Sequence, residues 1–411
     1  MAKAVLEVDF VGEVRERRAK EGGVFRTSDG ELAVFDPQAA QRINALNFAD
    51  LTLPDKLLDV VRGKPGDPVS WKLVRSALSS RLADLSAGPA LESLAGRMAA
   101  LLDERLGENV DLVWLAQQVI TRSLLPIVID GLGPKDHAKI LRDQDFKLAR
   151  LVRTRREPES RFAELWSIYI QVSAGSVVRR ELRGRRKGRR PRRHDLTDPI
   201  VDLLPQLGLD RAVDAVTTVL TAIAGPPGAS AASLLYELLS RPDWAVRLSE
   251  ELAPLSLAEI AADPLRRAPT AHRFVKEVLR MWSPPVFMTR PVRCPIDHGG
   301  HHLEPGDRYL LSPYFIHHDP ALWPDHDTFD PDRWLPGAPN GRATPASYVP
   351  FGWAPKSCLG AALGTAQLIL FTALALKRYR FEVEKLEEVP MMLAAVPLPV
   401  GMRGRVASCK T

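Results

Sequence analysis

Cys358 is the residue of this 411-residue chain whose type and position point most directly to chemistry. The stretch before it, residues 348–357, contains two prolines and a glycine that prevent helix formation. The spacing of apolar residues over 359–379 predicts a helix directly after it. A thiolate at a helix N-terminus is stabilised by the helix dipole and by free backbone N–H groups. Three uses of Cys358 therefore stay open: a reactive nucleophile, a soft ligand for iron, or a buried structural cysteine.

The residues around Cys358 resemble the haem-binding loop of the cytochrome P450 family. That loop usually reads Phe-Gly-x-Gly-x-His/Arg-x-Cys-x-Gly, and Phe351, Gly352, Cys358 and Gly360 occupy the matching positions. Lys356 supplies a cation where the family places one against a haem propionate, whereas an alanine replaces the second glycine. The resemblance implies that the cofactor is haem b (iron protoporphyrin IX), with Cys358 as the metal ligand that binds the haem iron.

Three side chains elsewhere resemble the family's other contacts with the haem propionates. Trp71 and Arg75 lie four residues apart in a helix predicted over 69–78, so they share a face. Without the resemblance, they would be a core tryptophan and an arginine on an exposed helix edge. Arg290 ends a strand predicted over 286–290 and matches the third propionate contact.

The central helix predicted over 210–239 is interrupted by Ala224, Gly225, Pro226, Pro227 and Gly228. Two prolines must kink or break a helix, because they lack the N–H donor and clash with the preceding turn. The first two of these residues match the Ala/Gly-Gly of the family's helix over the haem. The acid and the threonine expected next are replaced by Pro227 and Gly228. The break itself is therefore the candidate catalytic segment, and no individual catalytic residue is assigned.

The missing acid–threonine pair bears on mechanism, because splitting dioxygen on iron requires protons that those two side chains normally organise. Ser230 lies about 200° further round an unbroken helix and is not a direct substitute. Three explanations follow: protons come from the substrate or from water, the oxidant is peroxide, or the haem performs chemistry that never splits dioxygen. We rank the first of these highest.

The resemblance also indicates which residues line a substrate pocket. Ile223 and Ala224 would face it from the central helix, and Val286, Phe287 and Met288 from the strand over 286–290. For Phe287 and Met288, plain core packing is an equally good interpretation.

Two further motifs predict a structural triad of charged residues. Glu277 and Arg280 are three apart in a helix predicted over 271–282 and can pair. Taken alone, they could form a surface ion pair worth less than about 1 kcal/mol. The segment Phe329–Trp334 resembles the family's Phe-x-Pro-x-Arg-Trp/Phe motif, so Arg333 would complete a buried triad that braces the haem loop.

The five motifs together imply a mainly α, triangular cytochrome P450 fold with a small β side-domain, formed by residues 1–411 as a single domain. Hairpins are predicted over 24–35, around an Asp-Gly turn, and over 301–311, around a Pro-Gly turn. Residues 85–180 show only amphipathic helices, over 91–106, 110–129 and 162–182, and no strand signals.

Composition excludes several other functions. The net charge of +6 owes much to the arginine run at 179–193, which lacks interleaved aromatic residues for base stacking, so we expect a solvated loop and no nucleic-acid partner. Three scattered cysteines indicate no disulfide framework. His298, His301 and His302 lack the spacing of a metal site.

No apolar run of about 18 residues and no signal peptide is found, so we expect a cytoplasmic protein without a membrane partner.

The sequence therefore predicts a haem-thiolate oxidoreductase, a monooxygenase or related oxidative enzyme that tailors a small-molecule substrate, free or carrier-tethered, in secondary metabolism. A ferredoxin or flavodoxin-type electron donor would dock near Cys358, where Lys72, Lys356, Lys377 and Arg378 suggest a basic patch. One alternative is a haem-thiolate enzyme that catalyses a non-redox rearrangement, cyclisation or dehydration. Another is a non-catalytic helper of the same fold, although such helpers typically lose the cysteine ligand.

Overall fold

Helices dominate the computed structural model, which describes residues 5–48, 52–53, 69–151, 161–341 and 344–409. The helices are α1 (Asp9–Glu21), α2 (Pro37–Asn47), α3 (Trp71–Leu85), α4 (Gly88–Asp103), α5 (Leu112–Val128), α6 (Pro134–Leu151), α7 (Arg161–Arg186), α8 (Thr197–Asp202), α9 (Leu204–Ile223), α10 (Pro226–Leu239), α11 (Pro242–Leu252), α12 (Leu257–Ala262), α13 (Pro264–Arg267), α14 (Pro269–Met281), α15 (Pro313–His317) and α16 (Ala361–Lys377). The prediction of a mainly α fold is confirmed.

Short strands form small sheets beside the helices. They are β1 (Val5–Glu7), β2 (Val24–Arg26), β3 (Leu32–Val34), β4 (Thr52–Leu53), β5 (Val69–Ser70), β6 (Asn109–Asp111), β7 (Met288–Pro291), β8 (Ile296–His298), β9 (His301–Leu303), β10 (Arg308–Leu311), β11 (Tyr379–Val383), β12 (Met391–Leu393), β13 (Pro397–Pro399) and β14 (Arg403–Ser408). The largest sheet has the order β2-β3-β10-β7. It includes the predicted Asp-Gly hairpin and the strand that bears Arg290.

Helix α10 lies inside the helical part of the fold, where it packs on α5, α14 and α16. Leu234, Leu235 and Leu238, which the sequence pattern assigns to one apolar helix, are at most 3% exposed. The last of these partners, α16, is the helix that begins just after Cys358. The loop that bears the cysteine is therefore attached to the most buried helices of the protein.

The proline pair divides the central helix as the sequence predicts. Helix α9 ends at Ile223, and α10 begins at Pro226. Because neither Pro226 nor Pro227 has an N–H group, the carbonyls of Ala222 and Ile223 lose their helical donors. The hydroxyl of Thr121 on α5 donates to the Ile223 carbonyl at 3.3 Å, so a neighbouring helix replaces one of the two missing bonds.

Gly228 allows α5 and α10 to approach closely just after the break. A Cβ atom at this position would lie 2.9 Å from Cα and 3.1 Å from Cγ of Gln117 on α5. Both distances are shorter than a normal van der Waals contact, and one of the two atoms belongs to the backbone. Position 228, where the resemblance expects a threonine, therefore lies against a neighbouring helix that leaves no room for a side chain.

Two strand predictions are wrong. The hairpin expected over 301–311 does not form: β9 pairs with β8, and β10 pairs with β3 and β7. Gly299 and Gly300, with φ values of 56° and 78°, supply the turn between β8 and β9. The expectation of no strand within 85–180 fails at β6, which has only three residues and pairs with the distant β14. Such a short strand carries no periodic pattern, so its partner decides its conformation.

The prediction of a solvated loop at the arginine run is also wrong over its first half, because residues up to Arg186 belong to α7. Carboxylates within the run and after it pair with its arginines. Arg185 is buried and binds both Glu181 and Asp195 at 2.7–2.8 Å. Arg192 binds Asp198 and Asp202. Part of the positive charge is therefore neutralised within the fold rather than displayed to a polyanion.

The segment Leu204–Leu239 is the one part of the described chain that is long and apolar enough to cross a membrane. Of the most apolar window, 61% is buried inside the protein. The segment consists of α9 and α10, with the break between them, and packs among other helices. Its apolar character is therefore used for internal packing.

We expect Gly228→Ala to lower the free energy of unfolding by about 1–3 kcal/mol, since the added methyl group must push α5 and α10 apart. Urea titration of both proteins measures the difference. Gly96→Ala on α4 is the matched control, because a Cβ there meets nothing within 4 Å. The control should gain about 0.5–1 kcal/mol from better helix propensity. Equal responses of the two variants would contradict the packing role of Gly228.

Candidate active site around Cys358

Cys358 lies at the end of an ordered loop, three residues before α16 begins. Its N–H donates to the carbonyl of Phe351 at 2.8 Å, which closes the loop upon itself. The N–H of Gly352 donates to Val349 at 3.0 Å, and the φ of Gly352 is 72°, a conformation that favours glycine. A Cβ at Gly360 would lie 3.9 Å from the Cys358 sulfur. The glycines of the loop thus permit its tight turn and keep the surroundings of the sulfur open.

Cys358 is exposed as a residue, yet burial raises the pKa of its thiol above the ordinary value. These two properties agree if the sulfur faces a recess enclosed by protein atoms. The N–H of Gly360 and the charge of Arg75 lower the pKa in part, because both favour the thiolate. A metal that bound here would displace the thiol proton and use both interactions to stabilise the sulfur.

Arg75 lies beside the cysteine loop. Its Nη2 atom donates to the carbonyl of Ser357 at 2.8 Å and approaches the hydroxyl of the same residue at 3.2 Å. Burial lowers the pKa of Arg75, and the neighbouring Cys358 raises it in part. Trp71 stands one turn earlier at the start of α3 and is half-buried against the hydrophobic core. The structure therefore brings Arg75 next to the residue that precedes the cysteine.

Arg290 presents the clearest unsatisfied cationic group near the loop. Burial lowers the pKa of its guanidinium, and its Nε atom is buried with no hydrogen-bond partner among the described residues. Its Nη2 atom lies 3.5 Å from the sulfur of Met288. A Cβ at Gly352 would lie 3.8 Å from Cε of Met288, so this side chain connects Arg290 to the loop. A buried guanidinium whose Nε has no acceptor among the described residues fits a carboxylate of a bound cofactor.

Lys356 and Asn44 flank the loop on another side. The Lys356 ammonium lies 4.4 Å from the centre of the Phe48 ring. The amide nitrogen of Asn44 donates to the carbonyls of Trp353 and Ala354, both at 3.1 Å. Ala354, which replaces a glycine of the family pattern, has an exposed side chain, so its methyl group is accommodated. Sequence reasoning missed Asn44, since a buried asparagine in α2 gives no local signal of a partner more than 300 residues away.

Glu277, Arg280 and Arg333 form a completely buried triad. Glu277 accepts hydrogen bonds from Arg280 at 2.8 and 3.1 Å and from Arg333 at 3.0 Å. The indole N–H of Trp334 and the N–H of Asp330 donate to the same carboxylate at 3.1 and 3.0 Å. All three charged side chains are 0% exposed, so the alternative of a surface ion pair is wrong.

His317 connects the triad to the cysteine loop. Arg280 donates to its carbonyl at 3.0 Å, and its Nε2 atom accepts the N–H of Val349 at 2.9 Å. Burial, and then the charge of Arg280, lowers the pKa of His317 to about 3, so the ring is neutral at neutral pH and able to accept that bond. Sequence reasoning missed this residue, although adjacent histidines before Asp-Pro were a visible signal.

The residues expected to line a substrate pocket lie in different surroundings. Ala224 is 1% exposed and Val286 is 0% exposed, whereas Ile223 and Met288 are half-buried. The ring of Phe287 packs 5.3–6.4 Å from the rings of Phe10, Phe35 and Phe315. The structure thus shows core contacts for Phe287, and contact of these residues with a substrate stays a prediction.

The described residues contain no group of three or more His, Cys, Asp or Glu side chains that could hold a metal ion. His302 lies between Asp297 and Glu304, at 2.7 and 2.8 Å, on an exposed part of the chain. Cys358 is instead suited to a metal that brings its other ligands with it, as an iron porphyrin does. The adjacent cationic groups of Arg75 and Arg290 suit the carboxylates that such a group carries.

Comparison with known proteins agrees with this geometry. Residues 213–401 match the family model described as Cytochrome P450. Cyclooctatin synthase from Streptomyces melanosporofaciens is 39% identical over 141 residues, which are 33% of this chain and 30% of that protein. The ultra-long-chain fatty acid omega-hydroxylase of Homo sapiens is 31% identical over 163 residues, or 38% of this chain and 30% of that enzyme. The matched segments therefore span less than a third of these curated relatives.

Solved structures resemble the chain over nearly its whole length. A cyanobacterial cytochrome P450 with bound retinoic acid has a TM-score of 0.76 at 18% identity and covers 96% of this chain and 94% of its own. A zebra fish cytochrome P450 with abiraterone has a TM-score of 0.73 at 17% identity and covers 96% of this chain and 98% of its own. At such low identity, these likenesses show the fold.

We expect Glu277→Ala to lower the free energy of unfolding by about 3–5 kcal/mol, because it leaves two buried guanidinium groups without their carboxylate. Glu388→Ala is the control: Glu388 pairs with Lys385 on the surface, and its loss should cost less than about 1 kcal/mol. Guanidinium chloride titrations measure both. A loss of similar size in the two variants would refute the bracing role of the triad.

The buried His317 predicts a pH dependence. Its pKa is about 3 in the folded protein and about 6.5 when unfolded, so the unfolded chain binds more protons between these values. Stability should therefore fall as the pH drops from about 6.5 towards 4, by up to about 1.4 kcal/mol per unit for this group.

The variant His317→Gln keeps an acceptor for the Val349 N–H but cannot titrate, so its unfolding free energy should vary less over the same pH interval. Urea titrations at half-unit pH steps compare the two proteins. Parallel curves would show that His317 does not contribute.

Proposed function

We propose that the chain is a cytochrome P450-type haem-thiolate oxidoreductase that oxidises a small molecule, which the family match over residues 213–401, the curated relatives and the solved structures of the same fold support. The observation that carries the proposal is Cys358, an exposed residue at the end of the loop that leads into α16, directly after the Ser357 that Arg75 binds. The cofactor of this family is haem b. Bound to a cysteine thiolate, it supplies oxygen-activating chemistry that no amino-acid side chain provides.

Each cofactor contact proposed for this chain has a specific task. Cys358 would bind the haem iron through its thiolate, which the N–H of Gly360 would stabilise. Arg75 and Arg290, with Trp71 and Lys356, would bind the carboxylates, and the buried Nε of Arg290 has no other partner among the described residues. Phe351 and Gly352 shape the turn of the loop. The triad of Glu277, Arg280 and Arg333 is structural and keeps the loop in place.

The side chains at positions 227 and 228, which deliver protons in other members of the family, cannot do so here. Pro227 has no ionisable group, and Gly228 lies against the backbone of Gln117. The hydroxyl of Ser230 donates to the carbonyl of Pro226 at 3.1 Å, so it is used within its own helix. We therefore propose that a substrate hydroxyl or an ordered water supplies the protons. The carbonyl of Ala222 supports this, because Pro226 cannot donate to it and a water or a substrate can.

The same observation favours a second candidate function. An enzyme that never splits dioxygen needs no relay of acid and alcohol, so replacement of both groups suits a non-redox rearrangement, cyclisation or dehydration on a haem-thiolate centre. The third candidate, a non-catalytic helper, is disfavoured because the chain keeps Cys358 and its supporting triad.

We propose a small molecule of secondary metabolism, free or carrier-tethered, as the substrate, and a cytoplasmic ferredoxin or flavodoxin-type protein as the electron donor. Support for the first comes from a relative named cyclooctatin synthase. For the donor, Lys356 is exposed beside Cys358. Lys377 binds the carbonyls that end α11, and Arg378 pairs with Asp103, so the basic patch is partly neutralised.

We expect the reduced, carbon monoxide-treated protein to show the red-shifted Soret band of thiolate-ligated haem, and Cys358→Ala to lose it, because the only side chain proposed to bind the iron is removed. Cys409→Ala, remote in sequence and without a proposed role, is the control and should keep the band. Wild-type protein that binds no haem would contradict the proposal and favour the helper. With haem present, substrate turnover that requires neither dioxygen nor electrons would favour the non-redox candidate.

A further inference from the structure

A cavity of about 330 Å³ lies between the start of α5, the C-terminal half of α6 and the segment that contains β12 and β13. Its described lining comes from residues 111–118, 145–149 and 392–401. The volume lies at the lower end of the range of about 300–1,000 Å³ that is typical of small-molecule sites. The cavity therefore has room for a compact ligand.

Gln117 supplies this cavity with a buried hydrogen-bond donor that has no acceptor. The residue lines the cavity and is only 4% exposed. Of its two amide atoms, only Nε2 is buried without a hydrogen-bond partner among the described residues. Burying an N–H group without an acceptor costs free energy, so a ligand that brings an acceptor stabilises the site.

Helix α10 restricts where this amide can lie. A Cβ atom at Gly228 would be 3.1 Å from Cγ and 3.2 Å from Cβ of Gln117, so little space separates the α10 backbone from the stem of the side chain. The stem cannot move towards α10 without a steric clash. The donor is therefore largely held in place before a ligand binds, which reduces the conformational entropy lost on binding.

The rest of the cavity wall is mainly apolar. Its described members within residues 392–401 have no ionisable and no amide side chain. Trp114 and Val400 line the cavity although they are 39% and 42% exposed. Trp114 lies three residues before Gln117 on α5, so the two share a face of the helix. A ligand that covers this apolar surface removes it from water, which favours binding.

The charged side chains of the described lining are the carboxylates of Asp111 and Asp145, and both lie at exposed positions. Asp111 accepts the N–H groups of Val113 and Trp114, and Asp145 accepts a hydrogen bond from the amide nitrogen of Gln118 at 2.9 Å. Because both carboxylates already have donors and face solvent, neither requires a cationic ligand. Their negative charge disfavours an anion.

We propose that this cavity binds a neutral, mainly apolar small molecule that carries an oxygen acceptor, such as a ketone. The oxygen accepts a hydrogen bond from Nε2 of Gln117, and the apolar body covers Trp114 and Val400. A ligand without an acceptor leaves the amide unpartnered. This binding site does not depend on the function proposed above.

Isothermal titration calorimetry of the full-length protein as purified tests the ligand class with three probes of nearly equal size at neutral pH. These are acetophenone, which is a neutral ketone, α-methylstyrene, which has a CH2 group in place of the carbonyl oxygen, and benzoate, which is an anion. Acetophenone should bind about tenfold more tightly than benzoate, because the anion is repelled by two carboxylates. Equal or tighter binding of benzoate, or no binding of acetophenone, would overturn the proposal.

Variants of two adjacent glutamines isolate the proposed hydrogen bond. Gln117→Met keeps the length of the side chain but removes the donor, so it should weaken acetophenone about fivefold and leave α-methylstyrene nearly unchanged. Gln118→Met is the matched control, because Gln118 also lines the cavity but its amide nitrogen already binds Asp145. The control should keep the wild-type ratio of the two affinities. An unchanged ratio in Gln117→Met, or an equal change in both variants, would refute the hydrogen bond.

A second pair of variants locates the bound ketone. Ala149→Trp fills the cavity from an exposed position on α6 and should weaken acetophenone at least about tenfold. Arg142→Trp, exposed on the same helix but outside the described lining, is the control and should bind acetophenone like the wild type. Equal affinities of these two variants would show that the ketone binds elsewhere in the protein and would overturn the proposal.

Discussion

The buried carboxylate of Glu277 is the interaction on which the order of this structure depends. It accepts hydrogen bonds from two guanidinium groups, an indole and a backbone N–H, and no solvent reaches it. Two buried arginines against one carboxylate leave an excess positive charge, and backbone carbonyls surround it. Arg280 binds the carbonyls of His317, His326 and Thr328, and Arg333 binds those of residues 324, 325, 328 and 340. Each of these segments supplies carbonyls that accept hydrogen bonds from one of the two arginines. The network therefore holds together segments that are far apart in sequence.

That network reaches the candidate active site through a short chain of hydrogen bonds. From Arg280 it passes through the carbonyl and the neutral ring of His317 to the N–H of Val349. Val349 in turn accepts the N–H of Gly352, at the turn of the cysteine loop. Asn44 holds the loop from α2, and Arg75 holds Ser357 from α3. The loop that bears Cys358 is therefore held from three sides, which limits the positions that the cysteine can adopt.

The break in the central helix, by contrast, removes backbone hydrogen bonds that a regular helix would have. The prolines free two carbonyls, and Thr121 compensates one of them. Gly228 then allows α5 to pack where a threonine would not fit. A threonine at position 228 would therefore require α5 to move.

The sequence by itself determined the cysteine loop, the proline break, the Asp-Gly hairpin and the pairing of Glu277 with Arg280, because these depend on residue types at short spacing. The resemblance added Arg333 and the fold. Tertiary structure alone decided that the pair is completely buried, that His317 and Asn44 support the loop, and that the arginine run finds carboxylates. It also decided that β9 pairs with β8 while β10 joins a different sheet. The physical reason is that burial, strand pairing and charge compensation depend on partners tens to hundreds of residues away, and a local pattern does not specify which partner the fold will supply.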